Sequence, residues 1–261
     1  MAPYDVVSFL SDFGQRDIFV GVCHGVLARG APHARVIDLT HEVPAHDVLT
    51  GALLLARAVG HLPRAVHLAV VDPGVGTARH GIVVGTGRGD VLVGPDNGLL
   101  VPAADELGGV AAAYVLPARE GDSATFDGRD VFAPAAALLA SGTPPAGMGP
   151  ALGALEGLTV PVADVQDAAV RCRVLLVDRF GNCQLAATPA NAVAAGLAEV
   201  VEVVTPTGEH RAHRVRAFGD LEPGQLGLIE DSDGQLALVL GRADAAAALA
   251  VGPGDDIVLR G

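Results

Sequence analysis

The sequence predicts an α/β N-terminal domain with a largely parallel sheet, followed by a smaller, mainly antiparallel β C-terminal domain. Over the first 150 residues, apolar strand-like runs alternate with helix-like stretches, which is the layered pattern of α/β proteins. After Val170 the pattern changes to short apolar runs separated by Gly, Asp and Pro. Residues 141–158 between these regions are rich in Gly and Pro and have no clear period, as is typical near a linker. We therefore predict an N-terminal domain at 1–158, a linker at 159–169 and a C-terminal domain at 170–261.

In the N-terminal domain, six apolar runs are strand-like, and one of them, AVHLAVV, is short, β-branched and unbroken, as a strand buried on both faces should be. The predicted strands are VVSFL, VIDL, AVHLAVV, GIVVG, DVLVG and AAAYVL. The predicted helices are 17–29, 47–62 and 131–141. Proline is tolerated in the first turn of a helix, so Pro134 is compatible with the third of these.

In the C-terminal domain, five short apolar runs are separated by turn residues, which predicts strands joined mainly by hairpins. The runs are RVLLV, EVVEVV, LGLIE, QLALVL and DIVLR. One segment, 189–198, predicts a short helix.

The composition excludes several classes of protein. With 17 Lys plus Arg against 30 Asp plus Glu, the formal net charge is −13, which argues against a nucleic-acid partner. The three cysteines, Cys23, Cys172 and Cys183, lack CxxC spacing, which argues against a disulfide framework or a thiolate zinc site and favours the reducing cytoplasm. No window approaches 18 uninterrupted apolar residues, and no basic region precedes an apolar stretch at the N-terminus, so we expect neither a membrane span nor export.

The segment VVDPGVGTAR at 70–79 predicts an active-site loop. Asp72 follows the buried run AVHLAVV and stands at the carboxyl end of that strand, where ligands bind in an open parallel sheet. The proline and two glycines that follow force a tight turn and let a ligand approach the backbone. Arg79 lies seven residues after Asp72 and can fold back toward it.

Five blocks in this order resemble the S-adenosyl-L-methionine hydroxide adenosyltransferases, relatives of the fluorinases and chlorinases. The blocks are SDFG at 11–14 with Asp17, VVDPGVGTAR at 70–79, GPDNGLL at 94–100, TFDGRDVFAPAAA at 125–137 and DRFGNCQL at 178–185. The resemblance spans nearly the whole chain. It implies a reaction that yields adenosine and methionine with no cofactor and no bound metal. It also implies a homotrimer with active sites between the N-terminal domain of one subunit and the C-terminal domain of the next.

The implied chemistry fits three residues. Because a sulfonium is a good leaving group, displacement at the ribose C5′ needs in-line water or hydroxide more than a covalent nucleophile or a metal. Asp72 can orient or deprotonate water, and Arg79 can hold the developing hydroxide. The segment TFDGRD at 125–130 predicts a second active-site loop. The family carries a histidine in this second loop where this chain has Asp127, so two carboxylates would flank one arginine. The alternative is that Asp127, Arg129 and Asp130 form a structural ion-pair cluster at a helix start.

The resemblance also assigns substrate-binding residues. A carboxylate suits two adjacent ribose hydroxyls, an ammonium needs acceptors, and adenine needs a flat apolar slot with an amide at its edge. By resemblance, Asp12 binds the ribose, Asp17 and Asp178 the methionine ammonium, Ser232 the methionine carboxylate, Phe180 and Phe218 the faces of the base, Asn182 the edge of the base, and His46 forms a pocket wall.

Two functions of other classes stay open. The chain could be a metal-dependent hydrolase of nucleotides or phosphoesters, because several ligand-type residues fall near predicted strand ends. These residues are Asp12, His41, Asp47, Asp72 and Asp96. A non-catalytic nucleoside-binding protein is the second alternative, if the change at position 127 removed turnover and left the pocket. Halide chemistry is disfavoured, because a carboxylate at Asp72 repels an anion.

Overall fold

The computed structural model describes residues 3–117 and 123–261. The chain divides into two compact units, Met1–Thr159 and Val160–Gly261. The described strands of the first unit are β1 (Val6–Ser11), β2 (Arg35–Thr40), β3 (Val66–Val70), β4 (Gly81–Thr86), β5 (Val91–Pro95) and β6 (Val110–Leu116). Its described α-helices are α1 (Phe19–Gly30), α2 (Val48–Val59), α3 (Val101–Glu106) and α4 (Ala133–Ala140).

The strands of the N-terminal unit form a sheet in the order β2-β1-β3-β5-β4-β6. Pairing is parallel from β2 through β1 and β3 to β5, whereas β4 is antiparallel to both β5 and β6. The predicted mostly parallel sheet is therefore confirmed. Because β1 and β3 are parallel neighbours, their carboxyl ends lie at one edge, where the Asp12 amide donates to the Val70 carbonyl at 3.3 Å.

Helices cover both faces of this sheet, as the alternation of buried side chains along β1 shows. Phe9 packs into a core with residues of α1 and α4, such as Leu27 and Ala136. Leu10, the next residue, packs into a second core with residues of α2 and α3, such as Leu55. The sheet is thus the middle layer of three.

The observed helices differ from the predicted ones mainly at their ends. Helix α2 ends at Val59 and not at 62, and α3 has no counterpart among the predicted helices. The helix predicted at 131–141 begins earlier, because a π-helical turn at Gly128–Phe132 leads into α4. In that turn the Ala133 amide donates to the Gly128 carbonyl five residues back, a geometry that apolar periodicity does not reveal.

A buried polar network crosses the sheet on its α2 face. The Asp90 carboxylate is fully buried and accepts hydrogen bonds from the Ala65 amide at 2.9 Å and from Arg88 Nε at 2.7 Å. His67 Nε2 lies 3.1 Å from Asp90, and His67 Nδ1 lies 2.7 Å from the Ser8 hydroxyl. Burial opposes ionisation of Asp90, but the bonds from His67, Arg88 and the amide hold its pKa well below the usual range.

We expect Asp90→Asn to destabilise the protein by about 3 kcal/mol at pH 7, since it removes a fully buried carboxylate that pairs with Arg88, His67 and the Ala65 amide. A carboxyl whose pKa is lowered by folding stabilises the native state above its unfolded pKa of about 3.9 and loses that effect below it. The difference between wild type and variant should therefore shrink as the pH falls below about 4 in urea unfolding. Asp256→Asn is the control, because its bond to Arg173 is exposed. A pH-independent difference would contradict the prediction.

The C-terminal unit is an antiparallel, barrel-like sheet, so the predicted mainly antiparallel β domain is confirmed. Its strands are β7 (Asp164–Gln166), β8 (Ala169–Val177), β9 (Cys183–Leu185), β10 (Val200–Thr205), β11 (Gly208–Arg214), β12 (Leu226–Glu230), β13 (Leu236–Leu240) and β14 (Asp256–Arg260). They follow the order β14-β10-β11-β12-β13-β9-β8-β7, and an antiparallel pairing of β14 with β8 closes the barrel. The β11–β12 pair is parallel.

Two α-helices lie in the C-terminal unit, α5 (Pro189–Ala194) and α6 (Ala245–Leu249). The helix predicted at 189–198 is shorter, because Gly196 adopts a φ of +65° that stops it. Strand β7 lies inside the predicted linker 159–169 and pairs with β8. Among all described residues, no helix is long and apolar enough to cross a membrane.

Candidate active site

Asp72 and Arg79 meet at the carboxyl end of β3, as their spacing predicts. Arg79 Nε donates to Asp72 Oδ1 at 3.1 Å, and Arg79 Nη2 donates to Asp72 Oδ2. The Gly74 amide also donates to Asp72 Oδ1 at 3.1 Å, which fixes the carboxylate on its own turn. The Thr77 hydroxyl donates to the Gly74 carbonyl at 2.6 Å and closes that turn. The loop thus holds a bidentate arginine–carboxylate ion pair.

The second loop packs directly against the first. Gly76 has a φ of +76°, and a Cβ added there would lie 2.6 Å from the Ala124 carbonyl oxygen. Glycine is therefore required at this position by both its backbone conformation and the close approach of the second loop. This contact brings Asp127 within reach of Arg79, although 48 residues separate them in sequence.

Asp127 completes a cluster of two carboxylates around one guanidinium. Arg79 Nη2 donates to Asp127 Oδ2 at 2.6 Å. The side chains of Asp72, Arg79 and Asp127 are 6%, 10% and 19% exposed, so little water screens their charges. Among the described residues, the Asp127 side chain makes no capping hydrogen bond to the turn that follows it. Its contact with Arg79, and not a helix-capping role, is what the structure shows.

The environment shifts the acidity of Asp72. Burial raises the pKa of this carboxyl, the Arg79 guanidinium opposes that rise, and the nearby Asp127 charge adds to it. A raised pKa gives a carboxylate more basicity than an exposed aspartate has. The cluster therefore joins a buried proton acceptor to a fixed positive charge, which is a suitable arrangement for activating water.

Aromatic side chains form an apolar cluster on the second loop. Phe126 precedes Asp127, and its ring centroid lies 5.9 Å from that of Phe13 and 5.1 Å from that of Phe19. A Cβ added at Gly128 would lie 2.9 Å from the Phe13 ring, so this glycine admits the ring. The site prediction did not include these rings. The sequence already hinted at them, since Phe13 and Phe19 stand in or beside the first motif block and Phe126 stands in the fourth.

Arg129 and Asp130 form an ion pair with each other and not with Arg79. Arg129 donates from Nε to Asp130 Oδ1 and from Nη2 to Asp130 Oδ2, both at 2.7 Å. Asp130 Oδ2 also accepts from the Ser123 amide at 3.0 Å, and the hydrogen bonds from Arg129 lower the pKa of Asp130. These two residues brace the second loop, as the ion-pair alternative predicts for them.

Asp12 and His46 are held together near the end of β1. Asp12 Oδ2 accepts from the His46 amide at 2.9 Å, and His46 adopts a φ of +69°. Asp17 is exposed in the segment before α1. Asp12 thus lies one residue beyond β1 and Asp72 two beyond β3, at the same edge of the sheet.

The remaining predicted residues belong to the C-terminal unit. Asp178 Oδ1 accepts from the amides of Phe180 at 2.8 Å and Asn182 at 2.9 Å, and Asp178 Oδ2 accepts from Asn182 Nδ2 at 2.8 Å. This turn presents the Phe180 ring, which is 69% exposed. Phe218 opens a 3-10 turn and is 60% exposed. Ser232 lies in the turn between β12 and β13.

The structure does not assemble the metal-dependent alternative. Asp47 caps α2 by accepting from the Thr50 amide at 3.0 Å, and Asp96 accepts from the Glu156 amide at 3.0 Å. Asp72 is paired with Arg79. Of the five residues of that hypothesis, only His41 belongs to a cluster of three ligand-type side chains among the described residues.

The sequence matches models for both domains of one family and is similar to known proteins along nearly its full length. The SAM hydroxide adenosyltransferase N-terminal domain matches residues 7–149, and the C-terminal domain matches 172–258. An (R)-S-adenosyl-L-methionine hydrolase from Salinispora tropica is 50% identical over 98% of this chain and 97% of its own. One from Salinispora arenicola is 51% identical over 98% of each chain. A crystal structure of an uncharacterized conserved protein from Thermotoga maritima is 36% identical, with a TM-score of 0.91, over 98% of this chain and 100% of that one. The chain belongs to the SAM hydroxide adenosyltransferase family.

Proposed function

We propose that this protein is an enzyme that hydrolyses S-adenosyl-L-methionine to adenosine and L-methionine. The observation that carries the proposal is the buried cluster in which Arg79 joins Asp72 and Asp127. The two Salinispora hydrolases also support the proposal, since they are 50% and 51% identical to this chain over 98% of its length. An acid–base cluster without a side-chain nucleophile fits a reaction in which water itself attacks.

In the proposed reaction, a water oxygen bonds to the ribose C5′ as the bond from C5′ to the sulfonium breaks. The bonding electron pair moves to sulfur, which becomes the neutral thioether of methionine. The proton lost by the attacking water passes to a carboxylate of the cluster, either Asp72 or Asp127, and then to solvent. Arg79 stabilises the hydroxide character that the oxygen gains as its proton moves to the carboxylate. Placement of the water in line with the leaving sulfur supplies most of the acceleration.

The substrate-binding roles are part of this proposal. Asp12 can accept the ribose hydroxyls while it accepts the His46 amide, because a carboxylate has about four lone-pair positions. The Asn182 amide nitrogen donates to Asp178, so its carbonyl oxygen is the group suited to accept from the adenine amino group. Phe180 and Phe218 would cover the faces of the base, and Asp17 and Asp178 would bind the methionine ammonium. Ser232 would bind the methionine carboxylate, and His46 would form a wall of the pocket.

We further propose a cytoplasmic homotrimer with sites at its subunit interfaces and no cofactor or metal in the reaction. Ile18 is 75% exposed, and the two candidate adenine-binding rings are also largely exposed in the single chain. Large apolar side chains left exposed are typical of surfaces that a partner or ligand covers. Mass measurement in solution tests the trimer.

We expect the purified enzyme to release adenosine and methionine in equal amounts from S-adenosyl-L-methionine. The (R) descriptor in the relatives' names identifies a stereocentre other than the L-configured carbon, and the sulfonium is such a centre. We therefore expect (R)-sulfonium substrate to react faster than its (S) epimer. Chromatography of reactions with each epimer measures both products.

Two controls separate this function from its rivals. EDTA should leave the initial rate unchanged, because the proposed displacement uses no metal, and a strict metal requirement would overturn the proposal. Excess chloride or fluoride should give no 5′-halo-adenosine, because a carboxylate faces the attacking position. Tight adenosine binding without any turnover would favour the nucleoside-binding alternative.

A further inference from the structure

Three side chains with metal-binding groups meet on the α1 side of β2, outside the residues that the proposed reaction uses. His24 comes from α1, Asp38 from β2 and His41 from the segment just after β2. One nitrogen or oxygen atom from each side chain lies within 4.8 Å of the other two. Imidazole and carboxylate groups brought this close from three separate elements are a ligand set that suits zinc.

Both imidazoles have a nitrogen atom close to the same carboxylate oxygen. His24 Nε2 lies 2.8 Å from Asp38 Oδ1, and His41 Nε2 lies 3.1 Å from the same atom. Tetrahedral zinc with bonds of about 2.1 Å places neighbouring ligand atoms about 3.4 Å apart. The two nitrogen–oxygen contacts are shorter than this spacing, so small movements of the partly exposed His24 and Asp38 side chains would have to accompany binding of the ion.

The buried His41 side chain has a ring nitrogen without a hydrogen-bond partner in the described part of the chain. Its side chain is fully buried, and its Nε2 atom makes no hydrogen bond to any described residue, because the contact with Asp38 is too poorly aligned. Its Nδ1 atom lies 2.7 Å from the Ser11 hydroxyl. If that hydroxyl accepts a hydrogen bond from Nδ1–H, Nε2 carries a lone pair that has no hydrogen-bond partner among the described residues. A buried polar atom without a partner is costly, and a bound cation would remove that cost.

The surrounding structure orients the ligands and leaves a path for the ion. The Phe9 ring packs against both imidazoles, with centroid distances of 4.6 Å to His41 and 6.1 Å to His24. The His24 and Asp38 side chains are 37% and 39% exposed, so an ion can enter and retain water. We propose that His24, Asp38 and His41 bind one Zn²⁺ ion, with water completing a tetrahedral site.

The ion would tie together the segments that carry Asp12. The Gly14 amide donates to the His41 carbonyl at 2.7 Å, and the Ser11 hydroxyl contacts the His41 ring. Zinc held by α1, β2 and His41 would therefore brace the turn after β1 without touching the reacting atoms. The expected effect is on the stability of this region and not on the displacement step.

We expect zinc titration of untagged, EDTA-treated protein to show binding of one Zn²⁺ ion at micromolar or lower concentration, with a rise in melting temperature. Cobalt in place of zinc should give the strong visible absorption of a tetrahedral Co²⁺ site. Asp38→Asn and His24→Ala, both at exposed side chains, should each weaken zinc binding at least about tenfold. His61→Ala is the matched control, because His61 is exposed and lies outside the cluster.

Zinc binding that is equal in wild type, His24→Ala and Asp38→Asn would overturn the proposal, as would the absence of binding at 100 µM zinc. Magnesium serves as a second control, because a site built from two imidazoles should not respond to it. These readouts are binding, melting temperature and cobalt absorption. They are independent of turnover, so they stand or fall separately from the proposed hydrolysis.

Discussion

Asp72→Asn is expected to lower turnover of S-adenosyl-L-methionine by about 10²- to 10⁴-fold while adenosine affinity changes little. The amide keeps the shape of the side chain but removes its basicity and its charge pair with Arg79. Asp72 contacts Arg79 and its own turn, and none of its assigned interactions is with the nucleoside. Single-turnover kinetics measure the chemical step, and calorimetry with adenosine measures binding.

Substitution of Arg79 tests the cationic member of the same cluster. Arg79→Ala should lose activity to a similar extent, and Arg79→Lys should not restore it, because lysine cannot bond Asp72 and Asp127 at once through a planar fork. Asp105→Asn is the matched control for the carboxylate-to-amide change, because Asp105 is exposed in α3. Wild-type rates in Asp72→Asn or Arg79→Ala would refute the catalytic assignment.

The pH profile adds a readout that a structural role would not move. Burial raises the pKa of Asp72, so its carboxylate form is lost as the pH falls through a value above the ordinary 3.9 or so. The acid limb of kcat/KM should therefore lie above the range of an exposed aspartate and should disappear in Asp72→Asn.

The fold class was predictable because apolar periodicity determines which residues are buried. The run AVHLAVV becomes β3, and its burial on both faces follows from a sheet covered by helices on each side. Strand β4 is equally apolar, so nothing in its sequence reveals that it runs antiparallel to its neighbours. Strand β11, GEHRAHR, has no apolar run, so its sequence did not predict a strand. Its backbone hydrogen bonds to β10, and not its own side chains, place it in the barrel.

The site was predictable where its residues are close in sequence. Asp72 and Arg79 lie on one short turn, so their pairing follows from the turn itself. The approach of Asp127 depends on the tertiary contact of Gly76 with Ala124. Only the family resemblance suggested that Asp127 joins Asp72 and Arg79. The cluster of His24, Asp38 and His41 comes from three elements and carries no spacing motif, so the sequence alone did not indicate it.

By the family resemblance, Asp127 stands in place of a histidine, and its contact with Arg79 sharpens the test of its role. Asp127→Asn should lower turnover much more than it lowers adenosine affinity, because an amide cannot accept a proton as a carboxylate does. Asp127→His should retain substantial activity, since an imidazole can accept a proton or hydrogen bond at the same place. Turnover, affinity and melting temperature are measured for both variants.

The control for Asp127 is Asp130→Asn, which removes a loop-bracing carboxylate three residues away that bonds Arg129 and not Arg79. Asp130→Asn should lower the melting temperature and have little effect on the rate constant of the chemical step. Asp127→Asn should lower that rate constant and have little effect on the melting temperature. Equal wild-type kinetics in Asp127→Asn would leave Asp72 and Arg79 as the working pair. A low rate in Asp127→Asn that the histidine variant recovers would show that position 127 contributes a proton acceptor, and that either side chain can supply it beside Arg79.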